Sequence, residues 1–383
     1  MTSFIPHPSL RGSDPVDVLR LIRSEQVGPA TFFHLVKFCG SVTKALAMAP
    51  EMSRRGGRAK PIRITPRAEA EREYEALRKF GAQVVMYGEE TYPRLLQVVG
   101  DAPPMLTVRG HAHLWNHEKI IGIVGARNAS ANGCAFARKL AHELAEAGYL
   151  VVSGLARGID AAAHRGSLAR GTVAVIGGGI DNIYPPENAA LYEEIAATGA
   201  IISEMPFGMS PHARSFPGRN RIIAGMSRGV AVIEASLKSG SLITAHFALD
   251  YGRDIFAVPG SPMDPRCQGT NRLIREGATL LESVADIVTN LSDMARLPLA
   301  EPEIGNFAES AMVSDSSLLD DARATMTAAL SPSPTALEDV MAATGLPPHL
   351  VMAVLLELEL AGRLARHPGG RVSLIRGEHI AYG

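Results

Sequence analysis

The chain has 383 residues, 46% of them hydrophobic and 20% charged, enough to bury a full α/β core and carry smaller satellite domains. No apolar run approaches the roughly 18–20 residues needed to cross a bilayer, and the opening MTSFIPHPSLRGSDP lacks the basic-then-apolar order of a signal peptide, so a soluble, cytoplasmic protein is expected. The formal net charge of -1 averages over segments of opposite sign: Lys119 to Lys139 and Met205 to Gly229 hold basic residues and no acids, whereas Leu297 to Ala322 holds acids and no Lys or Arg. A phosphate polymer would meet such patches rather than the total. Cys39, Cys134 and Cys267 are odd in number and far apart, which indicates neither a disulfide framework nor a zinc site; reduced, buried thiols are expected.

Residues 1–88 read as a helical N-terminal domain. Asp14-Pro15 is an N-cap followed by Pro at the first helical position, and Val16, Leu19, Ile22, then Phe32, Leu35, Val36 recur at helical spacing around the turn Gln26-Val27-Gly28-Pro29. Two helices about a Gly-containing turn suggest a helix-hairpin-helix-like module, whose turn amides can touch a backbone phosphate, or else plain helical packing. Ser53 to Arg63 reads as a loop, followed by a helix with a solvated face carrying Glu69, Glu71, Arg72 and Glu73.

Within 89–296 the texture changes to short apolar runs alternating with helical stretches. The runs are IIGIVG, YLVVSG, TVAVIGGG, AIISE, GVAVIEA, DIFAVPG and ATLLE. Near-continuous apolar strands separated by helices predict an α/β fold, a doubly wound and mostly parallel sheet covered on both faces. An acidic linker is expected over 297–318. In 319–383, helices at 337–343 and 347–360 followed by two short strands about Gly369-Gly370 make a winged-helix-like pattern. Its second helix, PPHLVMAVLLELEL, carries Glu357 and Glu359 and no Lys or Arg, which suits protein contact or packing better than base reading.

In such sheets ligands bind beyond the carboxyl ends of the strands. There the chain concentrates Gly, Ser and Arg: Gly125-Ala126-Arg127-Asn128, Ser153-Gly154-Leu155-Ala156-Arg157-Gly158, Gly177-Gly178-Gly179, and SFPGRNR with Phe216, Arg219, Asn220 and Arg221 ahead of an apolar run. Free amides at helix starts and forked guanidinium groups suit phosphate oxygens. Any single Gly is explained by a sharp bend; the group, with its arginines, points to anions. GxxxxGK[ST], GxGxxG, GxSxG and HExxH are absent, which disfavours nucleoside triphosphatase, dehydrogenase, serine hydrolase and zinc protease chemistry. His164 reads as a packed or capped histidine. Glu234 could hold a ribose hydroxyl or accept hydrogen bonds from the Ser239-Gly240-Ser241 turn, the second being preferred; Glu204 has the same ambiguity.

In order, VGARNASANG, SGLARGIDAAAH, GTVAVIGGGIDNIYPPEN, ISEMPFG, FPGRNRIIAG, VIEASLKSGSLITA, GRDIFAVPG and GTNRLI resemble the motif series of the DNA-processing protein A (DprA/Smf) family. The resemblance spans roughly 85–291 and extends less specifically to a sterile-alpha-motif-like N-terminal module and a winged-helix C-terminal module. It implies a Rossmann-like protein, dimeric through that domain, with no cofactor and no known catalysis. Such a protein binds single-stranded DNA, shields it and helps load the RecA recombinase during natural transformation. Carried onto this sequence, Gly125, Arg127, Ser153, Gly154, Phe216, Arg219, Asn220 and Arg221 would line the strand's path, Phe216 as a stacking surface. Arg219 and Arg221 would face different neighbours, so that one reaches the DNA while the other holds the loop, which does which being left open. Where many relatives have Lys after Tyr-Pro, this chain has Pro186 then Glu187. That removes one expected phosphate contact, for which Arg157 or Arg214 would compensate. The alternative is a nucleotide-cleaving phosphoribohydrolase, a Rossmann-like group with a PGGxGT signature; ASLKSGSLITA lacks Pro-Gly-Gly.

Overall fold

Helix signals at the N-terminus act where the sequence places them. The Asp14 side chain accepts from the Val16 amide to start α1 (Pro15–Ile22), Pro29 opens α2 (Pro29–Cys39), and the Ser41 hydroxyl accepts from Lys44 to start α3 (Val42–Arg55). The Arg-rich segment expected as a loop therefore begins inside α3. Then comes α4 (Arg67–Lys79). The computed structural model describes residues 7–116, 119–294, 316–367 and 370–375. They divide, within α4, into two units: one built on residues 73–294, the other from both ends of the chain.

The first unit runs β1 (Gln83–Met86), α5 (Arg94–Gln97), β2 (Met105–Gly110), β3 (Ile120–Gly125), α6 (Ala131–Glu146), β4 (Leu150–Ser153), α7 (Ile159–Ser167), β5 (Thr172–Val175), α8 (Ala189–Thr198), β6 (Ala200–Ser203), α9 (Ser215–Met226), β7 (Gly229–Ile233), α10 (Ser241–Asp250), β8 (Asp254–Ala257), α11 (Gln268–Arg275), β9 (Thr279–Leu280) and α12 (Val284–Met294). Their order in the sheet is β1-β2-β6-β5-β4-β3-β7-β8-β9. All seven apolar runs form the parallel part, β3 to β9. Its central strands are buried along their length, which is why they show no alternation. The antiparallel pair β1 and β2 extends the sheet beyond β6. Residues 83–86 thus lie in the sheet and not in the helical segment expected up to 88, because four residues of QVVM are too few to reveal a period.

Both faces are covered. Ile121 and Ile123 point into a core shared with Leu140 and Leu144 of α6 and Ile287 of α12. Between them Gly122 faces the other way, where a Cβ would press within 3.3 Å of the Ile223 side chain on α9. The chain winds outward from β3 to β6, then returns through α9 to place β7 on the other side of β3. The seam between β3 and β7 is therefore the topological switch point.

The second unit joins α1–α3 to α13 (Ser316–Ala329), β10 (Thr335–Ala336), α14 (Leu337–Thr344), α15 (Pro348–Leu360), β11 (Leu364–His367) and β12 (Arg371–Leu374), with strand order β10-β12-β11. This is the expected helix, helix, ribbon pattern with α13 and β10 added; 297–315 of the acidic linker lies outside the described residues. In winged-helix proteins the counterpart of α15 enters the major groove. Here it is internal. Val351, Val354 and Leu358 pack with Met326 of α13, Thr31 of α2 donates to Glu359 at 2.8 Å, and the Glu357 carboxylate, 2% exposed, pairs with Arg323 at 2.7 Å. Gly56, at the end of α3, lies so close to α15 that a Cβ would run into the Glu357 carbonyl oxygen, and Arg363 donates to the Gly56 carbonyl at 3.1 Å. Gly56→Val is expected to destabilise this unit by about 1–3 kcal/mol through overpacking against backbone that cannot yield. Faster amide exchange in α3 and α15 would show it; unchanged exchange would refute the close approach.

Candidate nucleic-acid interface

Glycines shape the switch point. Gly125 ends β3 opposite Ile233, and a Cβ there would run into the Ile233 carbonyl and the Ile159 side chain. Gly158, with φ +76, lets the amide of Ile159 reach the Ala126 carbonyl at 3.2 Å, so the loops after β3 and β4 are tied together. Ser130 caps α6, accepting from Gly133 at 2.9 Å. Glu234, just past β7 with φ 51, accepts from the Ser130 amide at 2.8 Å and from the Ser130 hydroxyl. This corrects the expectation that Glu234 serves the Ser239-Gly240-Ser241 turn. A carboxylate at a helix start satisfies amides that lack intrahelical partners, while the Ser239 and Ser241 hydroxyls bond each other at 2.7 Å.

Over this seam lies a cleft of about 570 Å3. Arg127 and Asn128 form one wall; Phe216, Arg219 and Asn220 of α9 form another, and Ser241 and Thr244 of α10 border it. The Arg127 guanidinium stands 4.9 Å from the centre of the Phe216 ring and that of Arg219 6.0 Å from it. A smaller recess leads on past Gly154, Arg157 and Gly177. The expected turn residues Gly125, Arg127, Gly154, Arg157, Phe216, Arg219 and Asn220 thus converge on one surface.

FPGRNR is not a turn, however. It forms the first half of α9, because Pro217 falls in the first turn, where its missing N–H costs nothing. On a helix, residues two apart point to nearly opposite sides. Arg219 faces the cleft, 6% exposed, with Nη1 3.7 Å from Asp160. Arg221 faces the interior: Nη2 donates to both carboxylate oxygens of Glu204 at 2.6 Å and Nη1 to the Asp101 carbonyl at 2.6 Å. Burial works against its charge, but Glu204 and Asp101 outweigh burial and hold its guanidinium above the ordinary value. Arg221 and Glu204 are therefore structural partners, which removes Arg221 from the phosphate-binding set. Ser153 leaves it too: it is fully buried, donating to the Ile123 carbonyl at 2.5 Å. Asn220 donates to the Gly240 carbonyl at 3.2 Å and borders the cleft.

The role of Gly154 is steric. A Cβ there would run into Nη1 of Arg219, so this glycine makes the space that the buried guanidinium fills. Arg157 is exposed and 3.8 Å from Glu187, so the acid that stands near the missing Lys draws partly on the arginine expected to compensate for it. Arg214 is exposed at the N-cap of α9. His164 is packed as expected, fully buried with Nδ1 2.9 Å from the Thr172 hydroxyl. Of the thiols, Cys39 is buried while Cys134 and Cys267 are half-buried. Asp160, Thr244 and Arg266 were not anticipated at the cleft. For Asp160 a signal existed, an acid right behind the Gly-Ile start of a helix; Arg266 comes from a distant loop, tied to Asp264 at 2.8 Å.

Residues 83–292 match the family described as DNA recombination-mediator protein A, 13–76 a DprA-like N-terminal HHH domain, and 311–370 a DprA winged helix domain. The chain is 37% identical over 306 residues to Protein Smf of Synechocystis, covering 73% of this chain and 77% of that one. It is 42% identical over 220 residues to DNA processing protein DprA of Bacillus subtilis, covering 57% and 74%. Among solved structures, DprA of Streptococcus pneumoniae superposes with TM-score 0.59 at 32% identity, covering 71% of this chain and 95% of that one. DprA of Helicobacter pylori, in a structure concerned with its single-stranded DNA binding mode, gives TM-score 0.51 at 29% identity, covering 56% and 96%. With residues 83–292, more than half of the chain, matched to its model and both flanking modules matched as well, the chain belongs to the DNA recombination-mediator protein A family.

Proposed function

We propose that this protein binds single-stranded DNA along the carboxyl edge of its sheet. It acts there in the cytoplasm as a homodimeric recombination mediator that shields the strand and passes it to a RecA-type recombinase, without catalysing a reaction. The observation that carries the proposal is the switch-point cleft, where Arg127 and Arg219 flank the Phe216 ring beside the Ser241 end of α10. Phosphate-sized donors around one aromatic face suit a flexible strand read without sequence preference. The single-stranded DNA binding of the Helicobacter pylori relative supports the same choice of ligand.

The test is a titration of wild type and Arg127→Ala with labelled oligothymidylate and with duplex, each at two salt concentrations. Single strands should bind more tightly than duplex. Arg127→Ala should bind roughly 3- to 10-fold more weakly and lose about 0.7 from the salt slope, the value for one phosphate contact on a single strand. Equal affinity for both forms, or an unaltered Arg127→Ala, would refute the site; release of base from nucleoside monophosphates would favour a nucleotide-cleaving enzyme instead.

A further inference from the structure

Arg219 borders the cleft almost wholly buried, its Nε has no partner, and the 3.7 Å between Nη1 and Asp160 Oδ2 is too long for a direct hydrogen bond. A buried cation with unused donors beside an open cleft is a seat for an anion that arrives from outside. Asp160 is equally buried, sits in the first turn of α7, and accepts from the Ala156 amide at 3.3 Å. Among the described residues lining the cleft it is the one carboxylate. Burial pushes the Asp160 carboxyl up and the Arg219 guanidinium down, and each opposes that shift in the other. Behind them His164, its pKa lowered to about 3 by burial and by Arg219, adds no charge. Asp160 and Arg219 thus form one buried pair of opposite charges, with the Arg127 guanidinium acting on both from the cleft.

We infer that Asp160 is a positioning residue and a built-in competitor: it holds the Arg219 guanidinium in the empty cleft and opposes the phosphate that takes its place. The inference rests on the proposed binding of single-stranded DNA. A phosphate at Arg219 brings a second negative charge close to Asp160, in surroundings where salt screens little. Arg127, exposed above Phe216, supplies the additional cation. The site then holds a strand but does not trap it, which is what a protein that passes its strand onward requires.

Asp160→Asn in the full chain keeps the shape and removes the charge. With oligothymidylate, followed by fluorescence anisotropy and stopped-flow dissociation, the variant should bind about tenfold more tightly, chiefly through slower release. Its melting temperature without DNA should fall, because Arg219 loses its counter-ion, and oligothymidylate should raise that temperature further than in wild type. Weaker or unchanged binding by a folded Asp160→Asn would overturn the inference, since a purely structural carboxylate has no reason to weaken the complex. If Asp160→Asn does not fold, Asp160→Glu decides: a carboxylate one methylene closer to Arg219 should weaken binding, and unaltered affinity would overturn the inference. Wild type that ignores oligothymidylate refutes the DNA-binding proposal itself, a distinct outcome from wild type that binds while Asp160→Asn binds no tighter.

Discussion

Arg221→Ala should lower the stability of the sheet unit by about 3–5 kcal/mol, the usual consequence of removing one partner from a buried ion pair and leaving the other charged. For a unit of this size that corresponds to roughly 6–20 °C in Tm. The group left charged is Glu204, each of whose carboxylate oxygens accepts from Arg221 at 2.6 Å. Around it, Tyr251 donates to the Asp101 carboxylate at 2.5 Å, and Arg221 donates to the Asp101 carbonyl, so one side chain holds three segments together. Scanning calorimetry would measure the loss. At a temperature where the variant is folded, its affinity for oligothymidylate should stay within about twofold of wild type, because the guanidinium points away from the cleft. An undiminished Tm with lost DNA binding would return Arg221 to the phosphate-binding set.

That contrast marks where the sequence stops being informative. The central strands are legible because parallel strands buried on both faces must be apolar throughout, whereas the antiparallel β1 and β2 lie outside the strand-helix alternation, with Pro103-Pro104 directly before β2. Composition alone favoured packing or protein contact over base reading for α15, and the helix is packed inside its unit. That Thr31 and Glu359 meet was not legible, since a contact 328 residues apart leaves no local pattern. At the site, residue type gave the charge and strand ends gave the place, so Arg127 and Phe216 could be found. Direction could not: that one of Arg219 and Arg221 reaches outward while the other holds the local structure is legible, but which does which follows only from FPGRNR being helical. Ser153, the last residue of β4, needed only one step along the strand to change from cleft-lining to buried. Asp160 is hard to assign from sequence, because an acid is out of place in an anion site until it stands beside a buried arginine.

The same geometry predicts that Gly154→Ala and Arg219→Ala lose binding together. Truncating Arg219 removes a desolvated cation from the phosphate seat, expected to cost about 2–4 kcal/mol, or roughly 30- to 1000-fold in Kd for oligothymidylate. Gly154 touches DNA through no side chain of its own, yet the alanine methyl would fall where Nη1 of Arg219 lies. Displaced from that position, the guanidinium loses its present aim beside Asp160, so Gly154→Ala should reproduce most of the Arg219→Ala loss. The discriminating measurement is the double variant. If Gly154 acts only by making room for Arg219, adding Gly154→Ala to Arg219→Ala should change the affinity by less than about 0.5 kcal/mol, the non-additivity of two residues that share one interaction. A double variant weaker by the full sum would mean that the Gly154 backbone approaches the strand independently, and that the glycine is there for the DNA and not for the arginine.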